Sequence, residues 1–192
     1  DCGIGFAGDY LPGVDVMVPD ISFIMERKED LLGLVITHAH EDHIGAVPYL
    51  WRDLGCPIYT TPFTTAFLRH KLAEMGPGKQ PVVHEMAPGG SVEIGPFGLE
   101  LVQLTHSIPE MQAVAIRTEK GVVMHTGDWK FYAMPVVGPV SDYETLKKYG
   151  DNQVLAMVCD STNVFDHGHS GSEGEVREQL TRIIKECKNR AV

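Results

Sequence analysis

Between His38 and His43 the chain reads His-Ala-His-Glu-Asp-His, three imidazoles and two carboxylates packed between the apolar runs of residues 32–37 and 44–54. The first run has the length of a strand. The second carries Pro48 in its first turns and has the apolar spacing of a helix. The polar block therefore falls in a strand-to-helix turn. An H-x-H pair in extended backbone lets two side chains one residue apart converge on a single ion, so His38 and His40 form one half-site. Asp42 and His43 are adjacent, diverge from that pair and can face a second ion, the arrangement of two-metal hydrolases. Helix capping and surface decoration are the plainer alternative, and they do not call for this density of donors.

The rest of the chain alternates in the same manner. "CPIYTT" reads as a strand, and "PFTTAFLRHKLAEMG", with Gly76 after its end, reads as a helix. From Ser91 onward strands dominate: "SVEIG", "GLELVQLTH", "QAVAIRT", a tight "EKG" turn, "VVMHTGD" and later "QVLAMVCD". That pattern predicts a layered α/β domain. "AMPVVGPVSDYETLKKYGDNQ" is a Pro- and Gly-punctuated excursion inside the same domain. Ser172 and Glu175 form a capping box before a helix whose one face carries Val176, Leu180, Ile183, Ile184 and Cys187. "NRAV" then starts what reads as another strand. With no initiator methionine before Asp1, these ends predict a segment of a longer protein, with a core over residues 1–175 and a helix over 176–192 leading away from it.

Composition narrows the function. A chain of 192 residues with 43% apolar content can bury one sizeable core. No apolar run approaches the roughly 18 to 20 residues of a bilayer span and no basic-then-apolar leader is present, which predicts a cytoplasmic protein with no membrane partner. Cys2, Cys56, Cys159 and Cys187 are far apart, form no C-x-x-C pair and sit mostly in apolar runs that look like core. A net charge of -10 opposes a nucleic-acid partner unless something local offsets it. "GIGFAG", residues 3–8, matches a dinucleotide fingerprint, but Pro12, Gly13 and Pro19 fall where the required helix should run, leaving a glycine-rich loop.

Further ligands have to come from strand ends. "LELVQLTHS" places His106, and "VVMHTGDWK" places Asp128, just after apolar strands, so both project towards one rim, Asp128 as a carboxylate able to face two cations. His70, His84 and His125 lack this setting. The His167-Gly168-His169 triplet repeats the H-x-H spacing in a Gly- and Ser-rich stretch with no following acid, and is expected to be an exposed loop.

These blocks match a known pattern. "HAHEDH" with "THSIPE" and "HTGD" resembles the metallo-β-lactamase superfamily, and "DCGIGFAGD", "GVDVMVPD", "THAHEDHIGAVPYLW" and "CDSTN" together resemble the ribonuclease J family of its β-CASP branch, from Asp1 to about Glu175. The resemblance implies an αββα sandwich, here incomplete, lacking its first strands, its β-CASP domain and the C-terminal return. It implies that Asp1 supports the histidine turn, that His38, His40 and His106 hold one zinc, that Asp42 and His43 hold the other, and that Asp128 bridges the two with a hydroxide, making Asp42 and Asp128 the catalytic carboxylates.

The implied activity is metal-dependent cleavage of RNA phosphodiesters, internally and from the 5′ end, by a homo-oligomer in the full-length protein. Zn2+ is the first choice of metal, with Mn2+ or Mg2+ as alternatives. The charge argument is separate from the resemblance: two dications lower the pKa of a shared water, polarise a phosphoryl oxygen and partly offset the acidic balance. Family members carry a last metal-binding histidine and an H-x-S-G-H segment that these 192 residues lack, so this segment alone is expected to be weak or inactive. Two other readings stay open: a thioesterase or lactonase of the same fold, and a non-catalytic RNA-decay scaffold.

Overall fold

Apolar runs in the strands pack two sheets against each other, with helices on their outer sides. The structure, a computed structural model, describes residues 1–152, 154–168 and 171–190. In chain order the elements are α1 (Ser22–Met25), a 3-10 turn at Lys28–Asp30, β1 (Leu34–Val35), α2 (Glu41–Ile44), α3 (Val47–Leu54), β2 (Ile58–Thr60), α4 (Pro62–Glu74), β3 (Val83–Glu85), β4 (Ser91–Ile94), β5 (Phe97–Gln103), β6 (Gln112–Thr118), β7 (Gly121–His125), α5 (Tyr143–Asp151), β8 (Ala156–Val158) and α6 (Glu173–Glu186).

The strands β1-β2-β3 form a parallel sheet, with α2 and α3 linking the first two and α4 the last two. The second sheet, β4-β5-β6-β7-β8, is an antiparallel meander to which β8 adds in parallel after α5. The period of two in strand side chains sorts the core into layers. Ile36 and Ile58 face outward from the first sheet onto Val47, Leu54, Leu68 and Leu72 of α3 and α4. Val35 and Tyr59, one residue out of phase, face Leu99, Leu101, Val114 and Ile116 between the sheets. Val102, Ala113, Ala115 and Met124 point to the far side, onto Leu146 and Tyr149 of α5. The order helix, sheet, sheet, helix is the expected α/β sandwich.

Several local readings need correction. The excursion around residues 133–153 contains α5, which its Pro and Gly residues obscured: Asp142 caps it by accepting from Thr145 N at 3.0 Å. The capping box at Ser172 and Glu175 is present, but its helix starts at Glu173 rather than at 176. Of the cysteines only Cys2 is buried; Cys56 is half-buried, and Cys159 and Cys187 are exposed, because β8 and α6 carry nothing over their outer sides. Residues 187–190 form no strand, and Ala191 and Val192 lie outside the described residues. Among the described residues, no helix is long and apolar enough to cross a membrane.

Candidate metal centre

Three strand C-termini deliver polar side chains to one rim. β1 runs into the histidine turn, β5 ends three residues before His106, and β7 ends three residues before Asp128. In the first of these, Ala39 is buried between His38 and His40, so the extended backbone throws both imidazoles to the opposite side. His40 is the N-cap of α2, which places Glu41 and Asp42 in the first turn of that helix, where its dipole favours negative charge.

The opening of the chain locks this turn from below. Residues 1–4 lie extended along α2, with Cys2 N donating to His43 O at 2.7 Å and Ile4 N to Glu41 O at 3.0 Å. Gly3 is the residue that permits this approach, because a Cβ there would sit 1.7 Å from the Asp42 carbonyl oxygen. One carboxylate then gathers three donors: Asp1 accepts from Thr37 N at 2.7 Å, from Thr37 Oγ1 at 3.0 Å and from His43 Nδ1 at 2.9 Å. The Thr37 hydroxyl has one proton. With that proton on Asp1, its lone pair accepts from His38 Nδ1 at 2.9 Å. Both His38 and His43 are thereby held in the tautomer whose Nε2 is unprotonated, a chain of support of the kind metal-binding histidines use.

The free nitrogens converge. His38 Nε2 lies 3.0 Å from His40 Nδ1, which lies 3.1 Å from His106 Nε2. A single ring proton cannot satisfy three such nitrogens at once, and tetrahedral ligands about 2.0–2.1 Å from zinc stand about 3.3 Å apart. The donor set therefore suits a divalent cation. His38 is fully buried, and burial first, then the neighbouring His43, His40 and His106, lowers its pKa to about 2. The pKa of His106 is lowered as well, chiefly by burial and then by His40. Both rings are thus neutral, the state that ligates.

Asp128 belongs to two groups of donors at once: with His38, His40 and His106, and with Asp42 and His43, the ligating atoms of each group lying within 4.8 Å of one another. Its Oδ1 is 3.1 Å from His43 Nε2 and its Oδ2 3.7 Å from His106 Nε2, while Asp42 Oδ2 is 3.6 Å from His43 Nε2. Gly127, at φ +56, turns the backbone so that the next residue faces the rim. Every residue singled out on the turn, with His106 and Asp128, is brought together, and Asp1 stands directly behind them.

Among the described residues, the other histidines join neither donor group. His70 pairs with Glu74 on the outer face of α4, His84 stacks on Tyr59 at 4.8 Å, and His125 accepts from Gly127 N at 2.9 Å. His167 is exposed, and His169 lies outside the described residues. Two supporting residues escaped the sequence reading. Thr37 looks like the last residue of an apolar strand, and its position directly before the first histidine was the only signal. Asp160, within "CDSTN", accepts from Thr162 N at 2.9 Å and from Trp129 N at 3.4 Å, tying β8 to the loop of Asp128. Beside Asp128, a cleft of about 540 Å³ is walled by Trp129, Lys130, Phe131, Asp160, Ser161 and Asn163.

The family described as "Beta-lactamase superfamily domain" matches residues 7–191. A protein named ribonuclease J from Sinorhizobium meliloti is 44% identical over 99% of this chain, which corresponds to 34% of the relative. One of the same name from Helicobacter pylori is 36% identical over 100% of the chain and 28% of its own length. The chain thus spans about a third of the length of the curated relatives it matches. Among solved structures, a protein of unknown function from Enterococcus faecalis superposes with a TM-score of 0.58 at 18% identity, covering 83% of this chain and 40% of that one, a likeness of fold alone.

Proposed function

This chain belongs to the beta-lactamase superfamily, and from that premise we propose that it is the catalytic-core part of a metal-dependent ribonuclease. The observation that carries the reading is the pair of donor groups sharing Asp128. His38, His40 and His106 would hold one ion and Asp42 and His43 a second, with Asp128 facing both and zinc preferred for its affinity for imidazole. When bound, such ions polarise a phosphoryl oxygen and lower the pKa of water so that it attacks at neutral pH.

The chain's own residues do the rest. Asp1 and Thr37 fix the ring orientation of His38 and His43 before any ligand arrives. Asp128 supplies negative charge beside His43 and His106, and Trp129, the residue after it, is part of the wall of the cleft. That cleft is the reason for preferring RNA to a thioester or lactone: Trp129 and Phe131 offer aromatic faces for a base, and Lys130 a cation for a phosphate. The name ribonuclease J of relatives aligned over the whole chain supports the same substrate. The division into a core over residues 1–175 and a segment over 176–192 leading away from it, entered through α6, is supported by the exposure of Val176, Leu180, Ile183 and Ile184.

The test is a comparison of substrates. The protein carrying this chain, loaded with zinc, is offered a 5′-monophosphorylated RNA oligonucleotide, a thioester and a lactone. RNA is expected to be cleaved and the carbonyl substrates left intact; cleavage of the thioester or lactone with RNA untouched would overturn the assignment.

A further inference from the structure

The two halves of the metal centre come from different sheets. His38, His40, Asp42 and His43 follow β1 of the parallel sheet, whereas His106 and Asp128 follow β5 and β7 of the meander. Something has to set the spacing between them to within tenths of an ångström. The hairpin loop bearing His106 is closed at its base by Leu104 N donating to Met111 O at 3.0 Å, and Thr105 is tied to Ser141 Oγ at 2.8 Å. Those bonds stay within the meander's half. On the other side of the loop stands Glu110, the one non-glycine residue among those described with a left-handed backbone, at φ +57. Its Oε2 accepts from Phe63 N, at the start of α4, at 2.9 Å.

That contact crosses between the halves. α4 lacks a side-chain cap of its own: the Thr61 hydroxyl donates to Thr64 Oγ1 at 3.2 Å and accepts nothing from the helix backbone. The Glu110 carboxylate therefore satisfies an orphan N–H and meets the positive end of the helix. The start of α4 is fixed in turn to the histidine turn: Thr60 Oγ1 donates to Ile36 O at 2.8 Å, two residues before His38. A glutamate in the left-handed region is strained relative to glycine, and the surrounding contacts, this bond among them, hold it there.

We propose that Glu110 is a positioning residue for the metal centre, a strut that holds the His106 loop at a fixed distance from the His38–His40 turn by capping α4. The inference rests on the metal reading above. Its test exploits the backbone. Glu110→Gly removes the carboxylate and also relieves the left-handed strain, and Glu110→Asn keeps a residue that tolerates this conformation but is too short to reach Phe63. Glu110→Gln retains an acceptor of the same length.

Each variant of the whole chain is titrated with Co2+, read by its visible d–d absorption, and its melting temperature is measured without metal. The Gly and Asn variants are expected to melt within a few degrees of the parent yet bind Co2+ about tenfold or more weakly, with a changed spectrum, while Gln stays within about threefold. Parent affinity and spectrum in Glu110→Gly would overturn the proposal. So would failure of both Gly and Asn variants to fold, which would make Glu110 a support of the fold instead. Absence of Co2+ binding by the parent chain would remove the metal reading itself, and this inference with it.

Discussion

Thr37→Val isolates one hydroxyl at the root of the metal centre. Thr37 is 2% exposed, its Oγ1 donates to Asp1 Oδ2 at 3.0 Å and accepts from His38 Nδ1 at 2.9 Å. Valine keeps the shape and β-branching and removes both bonds. In the metal-bound protein His38 must keep its proton on Nδ1, because Nε2 faces the ion; in the variant that N–H would point at a methyl group in a buried place. An unmet buried donor costs about 1–3 kcal/mol, which at about 1.4 kcal/mol per decade weakens zinc binding between about fivefold and about 150-fold.

The metal-free protein escapes most of this. Its His38 can move the proton to Nε2 and donate to His40 Nδ1, 3.0 Å away. It then loses little more than the Thr37–Asp1 bond, about 1 kcal/mol. The expected pattern is a fall in zinc affinity, measured by competition with a chromophoric chelator, larger than the fall in metal-free stability measured by urea unfolding. Thr37→Ser, which keeps the hydroxyl, should restore zinc affinity. Zinc binding by Thr37→Val within about twofold of the parent would refute the idea that this hydroxyl sets the tautomer.

Other outcomes follow from the same geometry. In the full-length protein carrying this chain, Asp128→Asn preserves size and removes the charge shared by both donor groups; it should lower zinc stoichiometry and reduce single-turnover RNA cleavage by at least about a hundredfold with the fold intact, and full-rate cleavage would end the shared-ligand assignment. Metal-free stability should fall on acidification below the ordinary histidine pKa of 6.5. His38, lowered to about 2 chiefly by burial, stays neutral when folded and takes up a proton when unfolded, and His106, lowered for the same reason, adds to the effect in the same direction, so the unfolded state gains as pH falls below 6.5; a urea midpoint that rises from pH 7 to pH 5 would contradict this. Gly3→Ala forces a Cβ against the backbone of Asp42 and should destabilise the chain by about 2–3 kcal/mol, seen as a lower melting temperature, unless residues 1–4 lie elsewhere than along α2.

Much of this protein is legible along the chain because it is written in local chemistry. The strand-to-helix placement of His38, His40, Asp42 and His43, the helix ending before Gly76, and the capping box at Ser172 each depend on residues within a few positions of one another. The apolar runs of β5 and β6 likewise read as strands from the sequence alone, and their side chains pack to both sides of the sheet. Helix α5 was hidden for the converse reason: the Pro- and Gly-rich residues before it suggest a loop, and tertiary burial of Leu146 and Tyr149 against the meander outweighs them.

What no local pattern could reveal is how distant strand ends meet. Asp1, Thr37 and His43 share one hydrogen-bond network across 42 positions of sequence, and His40 and His106 meet across 66. The left-handed glutamate at position 110 looks like an ordinary loop residue until the start of α4, 47 positions earlier, is seen to lie against it. The choice of donors is a property of side-chain chemistry and can be read from the sequence; their convergence is a property of packing two sheets face to face, and it exists only once the fold has brought the ends of β1, β5 and β7 to the same rim.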